Sequence, residues 1–135
     1  MIVFRFPEDP AIDFVKRVVG FPGETIELTS DGKLTVNGRV VPKPTELDYL
    51  KYDNLDGIPV PTNWGVHGHP VTLGGDEYFV LGDFSVRARD SRLWEVGAPG
   101  HPPYAVPRDY ITGVVTHIYW PLERQRVFAR PADVP

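Results

Sequence analysis

Two charged clusters have the residue types for chemistry. The first is Lys16-Arg17, in the middle of the apolar run Phe14-Val15-Lys16-Arg17-Val18-Val19. Side chains on a strand alternate between faces. Lys16 therefore shares a face with Phe14 and Val18, and Arg17 shares the other with Val15 and Val19. If the strand is buried, each charge must be paired or neutralised. Arginine keeps its proton, so Arg17 needs a carboxylate. Lysine in general can shed its proton when desolvated, and a neutral amine is a general base. A half-exposed strand with two solvated cations is the plainer alternative. The second cluster is Asp90-Ser91-Arg92, an acid, a hydroxyl and a guanidinium in succession. Asp90 can pair with Arg92, with Arg17, or with both.

The elements that would hold these clusters are strands. Fifteen prolines and thirteen glycines interrupt the chain too often for an amphipathic helix. Short β-rich runs recur at Ile2–Phe6, Phe14–Val19, Glu24–Leu28, Lys33–Val36, Glu77–Leu81 and Tyr110–Trp120. Thr29-Ser30-Asp31-Gly32 reads as a hairpin loop, and Asn37-Gly38 as a second tight turn from which Arg39–Val41 returns. Gly82-Asp83 ends the strand Glu77–Leu81, since glycine permits positive φ and aspartate caps turns. The pattern predicts an all-β domain of coiled or partly closed antiparallel sheets over residues 1–123. Residues 42–76 form an irregular proline-rich insert with at most a short helical turn near Glu46–Lys51. Gly97 to Pro107 is a second loop, and 124–135 a polar tail expected to fray.

Composition narrows the function. The net charge is -4, with no basic run to neutralise phosphates, so no nucleic-acid partner is expected. Without cysteine there is neither disulfide nor thiolate metal site. His67-Gly-His69, His101 and His117 match no common metal spacing, so no metal or cofactor is expected. Trp64, Trp94 and Trp120 are dispersed and read as core plugs, or in part as residues at a membrane interface. No apolar run approaches the ~20 residues that span a bilayer, and the opening MIVFRFPEDP is not a signal peptide.

Three segments carry a family resemblance. Ile2-Val-Phe-Arg-Phe-Pro-Glu-Asp-Pro10 looks like the strand after a conserved Gly-Asp. Asp13-Phe-Val-Lys-Arg-Val-Val-Gly-Phe-Pro-Gly-Glu24 looks like the box K-R-x-x-G-x-P-G-[DE]. Gly82-Asp83 through Asp90-Ser91-Arg92 looks like G-D-N-x-x-x-S-x-D-S-R. Together they resemble type I signal peptidases, membrane-anchored serine proteases that use a serine-lysine dyad. The resemblance covers most of residues 2–120. It implies that Lys16 is the general base, taking a proton from a serine hydroxyl and returning it to the leaving amine. Phe14 and Val18 would wall the amine. Arg17 would pair with Asp90, which also holds Arg92, and Asp83 and Ala88 would belong to the same supporting set. The strand of Lys16 would pair with an extended substrate through the backbone of Asp13 and Val15. Phe14, Val15 and Val3 would line small pockets suited to Ala-x-Ala sites in the signal peptides of preproteins. The catalytic domain would lie on the outer face of a membrane, anchored by a segment upstream.

The sequence departs from the family in three ways. The nucleophilic serine of the family lies in an upstream box, S-M-x-P-T, and none of Ser30, Ser85 and Ser91 matches it. The 135 residues are therefore expected to be inactive as they stand, as a piece of a longer polypeptide. Ala88 stands where a serine often orients the lysine, and Phe84 where asparagine is usual. Two other readings stand beside the protease. One is a non-catalytic, signal-peptidase-like β-domain that binds extended peptides or a partner. The other, a self-cleaving repressor, lacks its DNA-binding helix and its Ala-Gly cleavage loop.

Overall fold

A computed structural model describes residues 1–43, 45–47, 51–55, 63–83, 89–118 and 126–127. The strand β1 (Ile2–Phe6) buries Ile2, Phe4 and Phe6 and turns Val3 and Arg5 the other way. Its partner β2 is longer than the apolar run suggests, Asp9–Gly20. The two pair antiparallel in the register Ile2↔Lys16, Val3↔Val15, Phe4↔Phe14 and Arg5↔Asp13. A second sheet follows from β3 (Thr25–Leu28), β4 (Leu34–Val36) and β5 (Arg39–Val40), with β6 (Val71–Thr72) on the far side of β3. The strand β7 (Glu77–Leu81) returns to β2, pairing Arg17↔Leu81 and Val18↔Val80. With β8 (Val106–Pro107) and β9 (Ile111–Val114) the first sheet runs β8-β7-β2-β1-β9.

The strand β7 explains how the sheets share one body. Alternation sends Val80 into a cluster with Ile2, Phe4, Phe6, Trp94 and Val106. It sends Phe79 and Leu81 into a second cluster with Ile26, Leu28, Val71 and Leu73. A strand buried on both faces reads as a continuous apolar run, which is what Tyr-Phe-Val-Leu shows. The turn after β2 is equally specific. Pro22-Gly23 forms a tight turn, with Gly23 at φ 83 and Glu24 N–H donating to Phe21 C=O. Glu24 also folds its carboxylate back to accept the Phe21 N–H at 2.6 Å. Gly20 is a close approach, since a Cβ there would stand 2.7 Å from Ile26 Cγ1. The glycines and the acid of this stretch thus bring the second sheet down against the end of β2.

The all-β class stands, and among the described residues the helical structure is two single 3-10 turns, Thr45–Leu47 and Arg108–Tyr110. Several boundaries differ from expectation: the loop expected over Gly97 to Pro107, for one, ends in the paired strand β8. The long strand at 110–120 is divided: Tyr110 closes a 3-10 turn, β9 ends at Val114, and β10 (His117–Ile118) starts a separate ribbon. Val115 N–H donates to Met1 C=O as the chain leaves β9, and the ladder with β1 already shifts register between Val3 and Phe4. The strand β11 (Arg126–Val127) pairs with β10, so part of the stretch expected to fray is paired. The insert at 42–76 ends in a paired strand, β6, because Val71 is drawn into the second core. No helix among the described residues is long and apolar enough to cross a membrane.

Candidate active site

The two cations of β2 occupy opposite faces. Lys16 lies directly across from Ile2 and beside Phe14 and Val18, on the face that packs into the first core. Its Nζ stands 5.5 Å from the centroid of the Phe14 ring. Phe14 is itself fixed, stacked on Phe6 at 4.3 Å and edge-on to Phe4 at 6.3 Å. Trp94, fully buried, closes the far side of Phe4 and Phe6. Trp94 is a core plug, as its sequence reading allowed. Lys16 is half-buried, and no carboxylate among the described residues pairs with it.

Arg17 faces the other way and makes a bidentate pair with Asp83, Nε to Oδ1 and Nη2 to Oδ2, both at 3.0 Å. The expected pair of Arg17 with Asp90 is therefore corrected. The reason is the supply of lone pairs. Oδ1 of Asp90 accepts from Arg92 N–H at 3.1 Å and Arg92 Nε at 2.9 Å, and Oδ2 accepts from Arg92 Nη2 at 2.7 Å and Gly82 N–H at 2.9 Å. Two oxygens with two lone pairs each are then filled within their own loop. Asp83 is free to serve Arg17 by position. It lies two residues beyond Leu81, the ladder partner of Arg17, and so on the same face.

Asp90, Ser91 and Arg92 are all fully buried. Ser91 exchanges bonds with Val80, its Oγ accepting from Val80 N–H and its N–H donating to Val80 C=O. Arg92 also donates from Nη1 to Asp53 C=O at 2.7 Å, tying the insert to the end of β7. Tyr52 sits in this polar layer. Its hydroxyl is pushed up to about 12, chiefly by burial, with Arg17 pulling it down and Asp83 pushing it up. Nothing in the sequence pointed to Tyr52, because the insert has no periodicity to read.

The residues expected to meet substrate are divided by the sheet. Val3 and Val15 stand opposite each other on the outer face, and Val15 is 51% exposed. Asp13 is exposed on that same face, across from Arg5. Phe14 is on the inner face with Lys16. Ala88, with Phe84 and Ser85, lies outside the described residues. The ladder to β7 begins at Arg17, so among the described residues Asp13–Lys16 is paired on the β1 side alone. A free strand edge exposes backbone donors and acceptors and can take a further strand. Lys16 stands at the point where that free edge begins.

Known proteins share this arrangement of segments. The family described as Signal peptidase, peptidase S26, matches residues 1–120. Signal peptidase I of Leptolyngbya laminosa is 32% identical over 119 residues, which cover 87% of this chain and 47% of that protein. Signal peptidase I of Pseudomonas fluorescens is 29% identical over 109 residues, covering 70% and 38%. The matched part is under half the length of these two relatives. The crystal structure of a signal peptidase I from Enterococcus faecalis V583 aligns with a TM-score of 0.55 and 28% identity, over 85% of this chain and 92% of that one.

Proposed function

Because the chain belongs to the signal peptidase family, peptidase S26, we propose that it is the β-domain of a signal peptidase I-type serine endopeptidase with Lys16 as general base of a serine-lysine dyad. The observation that carries this reading is the placement of Lys16. A half-buried amine with no carboxylate partner among the described residues stands against an aromatic ring, where, among those residues, the ladder of β2 with β7 stops. Such an amine can accept the proton of a serine hydroxyl as its oxygen attacks the scissile carbonyl. The resulting ammonium then protonates the leaving amine, and water releases the acyl group.

The substrate would be the signal peptide of a preprotein, laid as an extra strand on the free edge at Asp13–Lys16. The paired valines Val3 and Val15 would offer shallow apolar contact, suited to the small side chains of Ala-x-Ala sites. Arg17, Asp83, Asp90 and Arg92 would hold β2 and β7 in register. The serine nucleophile would come from a segment outside residues 1–135. Ser91 is buried and bonded to Val80, and Ser30 lies in the β3–β4 turn of the other sheet. In the whole protein the domain would sit on the outer face of a membrane, held by an anchor from that same outside segment. The polar stretch 124–135 would lie beyond the catalytic domain.

The test is cleavage of a preprotein with an Ala-x-Ala site. The 135 residues alone are expected to leave it intact, and the same residues joined to an upstream S-M-x-P-T segment are expected to cut it. No cleavage by the joined protein would overturn the protease reading. It would favour the alternative that the open edge of β2 serves a domain that binds extended peptides without cutting them.

A further inference from the structure

At the other end of β7, away from Lys16, the fold gathers three metal-ligating side chains that the sequence keeps apart. Asp76 is exposed, Glu77 is buried, and His101 comes from the loop between Trp94 and β8. One ligand atom from each lies within 4.8 Å of the other two. Glu77 is held first. Its Oε1 accepts the Gly74 N–H at 2.7 Å, and its Oε2 stands 2.7 Å from Nδ1 of His101. A carboxylate at that distance makes Nδ1 the donor, and in the neutral imidazole Nε2 then carries the lone pair that a metal would take. Nε2 faces Oδ2 of Asp76 at 3.9 Å. That is too long for a hydrogen bond, and with the imidazole neutral it sets two possible ligand atoms across a gap that an ion could bridge.

We propose that Asp76, Glu77 and His101 form a site for a divalent transition-metal ion of the zinc class, with His101 Nε2 and Asp76 as direct ligands. Glu77 is the outer carboxylate that fixes the imidazole, an arrangement common behind metal-bound histidines. Two ligands at a tetrahedral angle on zinc stand about 3.4 Å apart, so the gap needs to close by about half an ångström. The exposed side of Asp76 leaves room for water in the remaining positions.

The backbone holds the donors in place from both sides. Arg108 N–H donates to Asp76 C=O at 2.7 Å, and His101 N–H closes a turn on Ala98 C=O at 2.9 Å. A side chain at Gly97 would collide with the His101 carbonyl oxygen, so the loop folds as it does because that residue has none. The same loop carries Tyr104, which packs on Trp64 and Phe79 and donates to Thr72 C=O. An ion at the site would tie this loop to the start of β7 and brace the second core. This role is structural and independent of the protease reading.

The test uses the full chain, stripped with a chelator and titrated with zinc chloride by calorimetry, with thermal melts alongside. One equivalent is expected to bind and raise the melting temperature, as any ligand of the native state does. His101→Asn should abolish binding, and Glu77→Gln should weaken it about 10–100-fold. Asp76→Asn, at an exposed position, should weaken it at least tenfold and keeps the test decisive should His101→Asn fail to fold. The double variant H67N/H69N should bind as the parent does. Absence of saturable binding overturns the proposal. So does an Asp76→Asn or His101→Asn variant that titrates unchanged, or a melt that responds to pH but not to zinc.

Discussion

The two faces of β2 treat their cations differently. On the outer face, Arg17 is met by both oxygens of Asp83, and beneath it Asp90 and Arg92 fill one another's hydrogen bonds. On the inner face, Lys16 meets the Phe14 ring, and no carboxylate among the described residues reaches it. A guanidinium cannot be neutralised, so it requires a paired site. A lysine needs less, since it can give up a proton. The paired face is where the protein stores rigidity. On the proposed reading, the unpaired face is where the proton is moved. The Lys-Arg sequence puts the two roles one residue apart, and the pleat of the strand keeps them separate.

The contrast can be broken most severely on the paired face. Arg92→Ala leaves Asp90 charged and buried without its guanidinium, held by the backbone N–H groups of Gly82 and residue 92 alone, and removes the tie to Asp53. Breaking a buried pair in this way costs roughly 3–5 kcal/mol, which chemical denaturation would read as a large fall in stability. A smaller loss sharpens the role of burial in the same layer. The Tyr52 hydroxyl is raised from 10.0 to about 12. Between those values the unfolded chain releases the proton and the folded chain keeps it. Stability therefore holds below pH 10 and falls as pH rises toward about 12. That alkaline loss is about 2–3 kcal/mol at 1.36 kcal/mol per unit, and Tyr52→Phe should remove it from a pH series of unfolding curves. Asp83→Ala comes next. The Arg17–Asp83 pair is part-exposed, so its loss should cost about 1–2 kcal/mol, with Arg17 left near solvent. The smallest effect is expected on the unpaired face, where Lys16→Met should shift stability within about 0.5 kcal/mol.

Much of this was legible in the sequence, for reasons that differ by region. The strands β1 and β7 could be read because one has a clean period of two and the other an unbroken apolar run. The Asn37-Gly38 turn was marked by residues that few other conformations need. Asn37 and Gly38 both take positive φ, 52 and 82. The partner of Arg17 was not legible. Asp90 was the expected partner and Asp83 was read as a turn cap and supporting residue; the outcome depended on which carboxylate had its lone pairs already filled. Tyr52 and the Asp76–Glu77–His101 cluster were hidden for another reason. Tyr52, Asp76 and His101 lie in irregular segments that carry no periodicity, and they meet their partners, Glu77 of β7 among them, through tertiary packing alone.

The central claim is that the lysine on the inner face of β2 moves the proton. The most direct measurement is preprotein cleavage by the chain joined to an upstream S-M-x-P-T segment, compared with the same protein carrying Lys16→Ala, with thermal melts of both. The account predicts that cleavage falls by about 10²–10⁴-fold while the two proteins melt within a few degrees of each other. Cleavage that survives Lys16→Ala at the parent rate would contradict it.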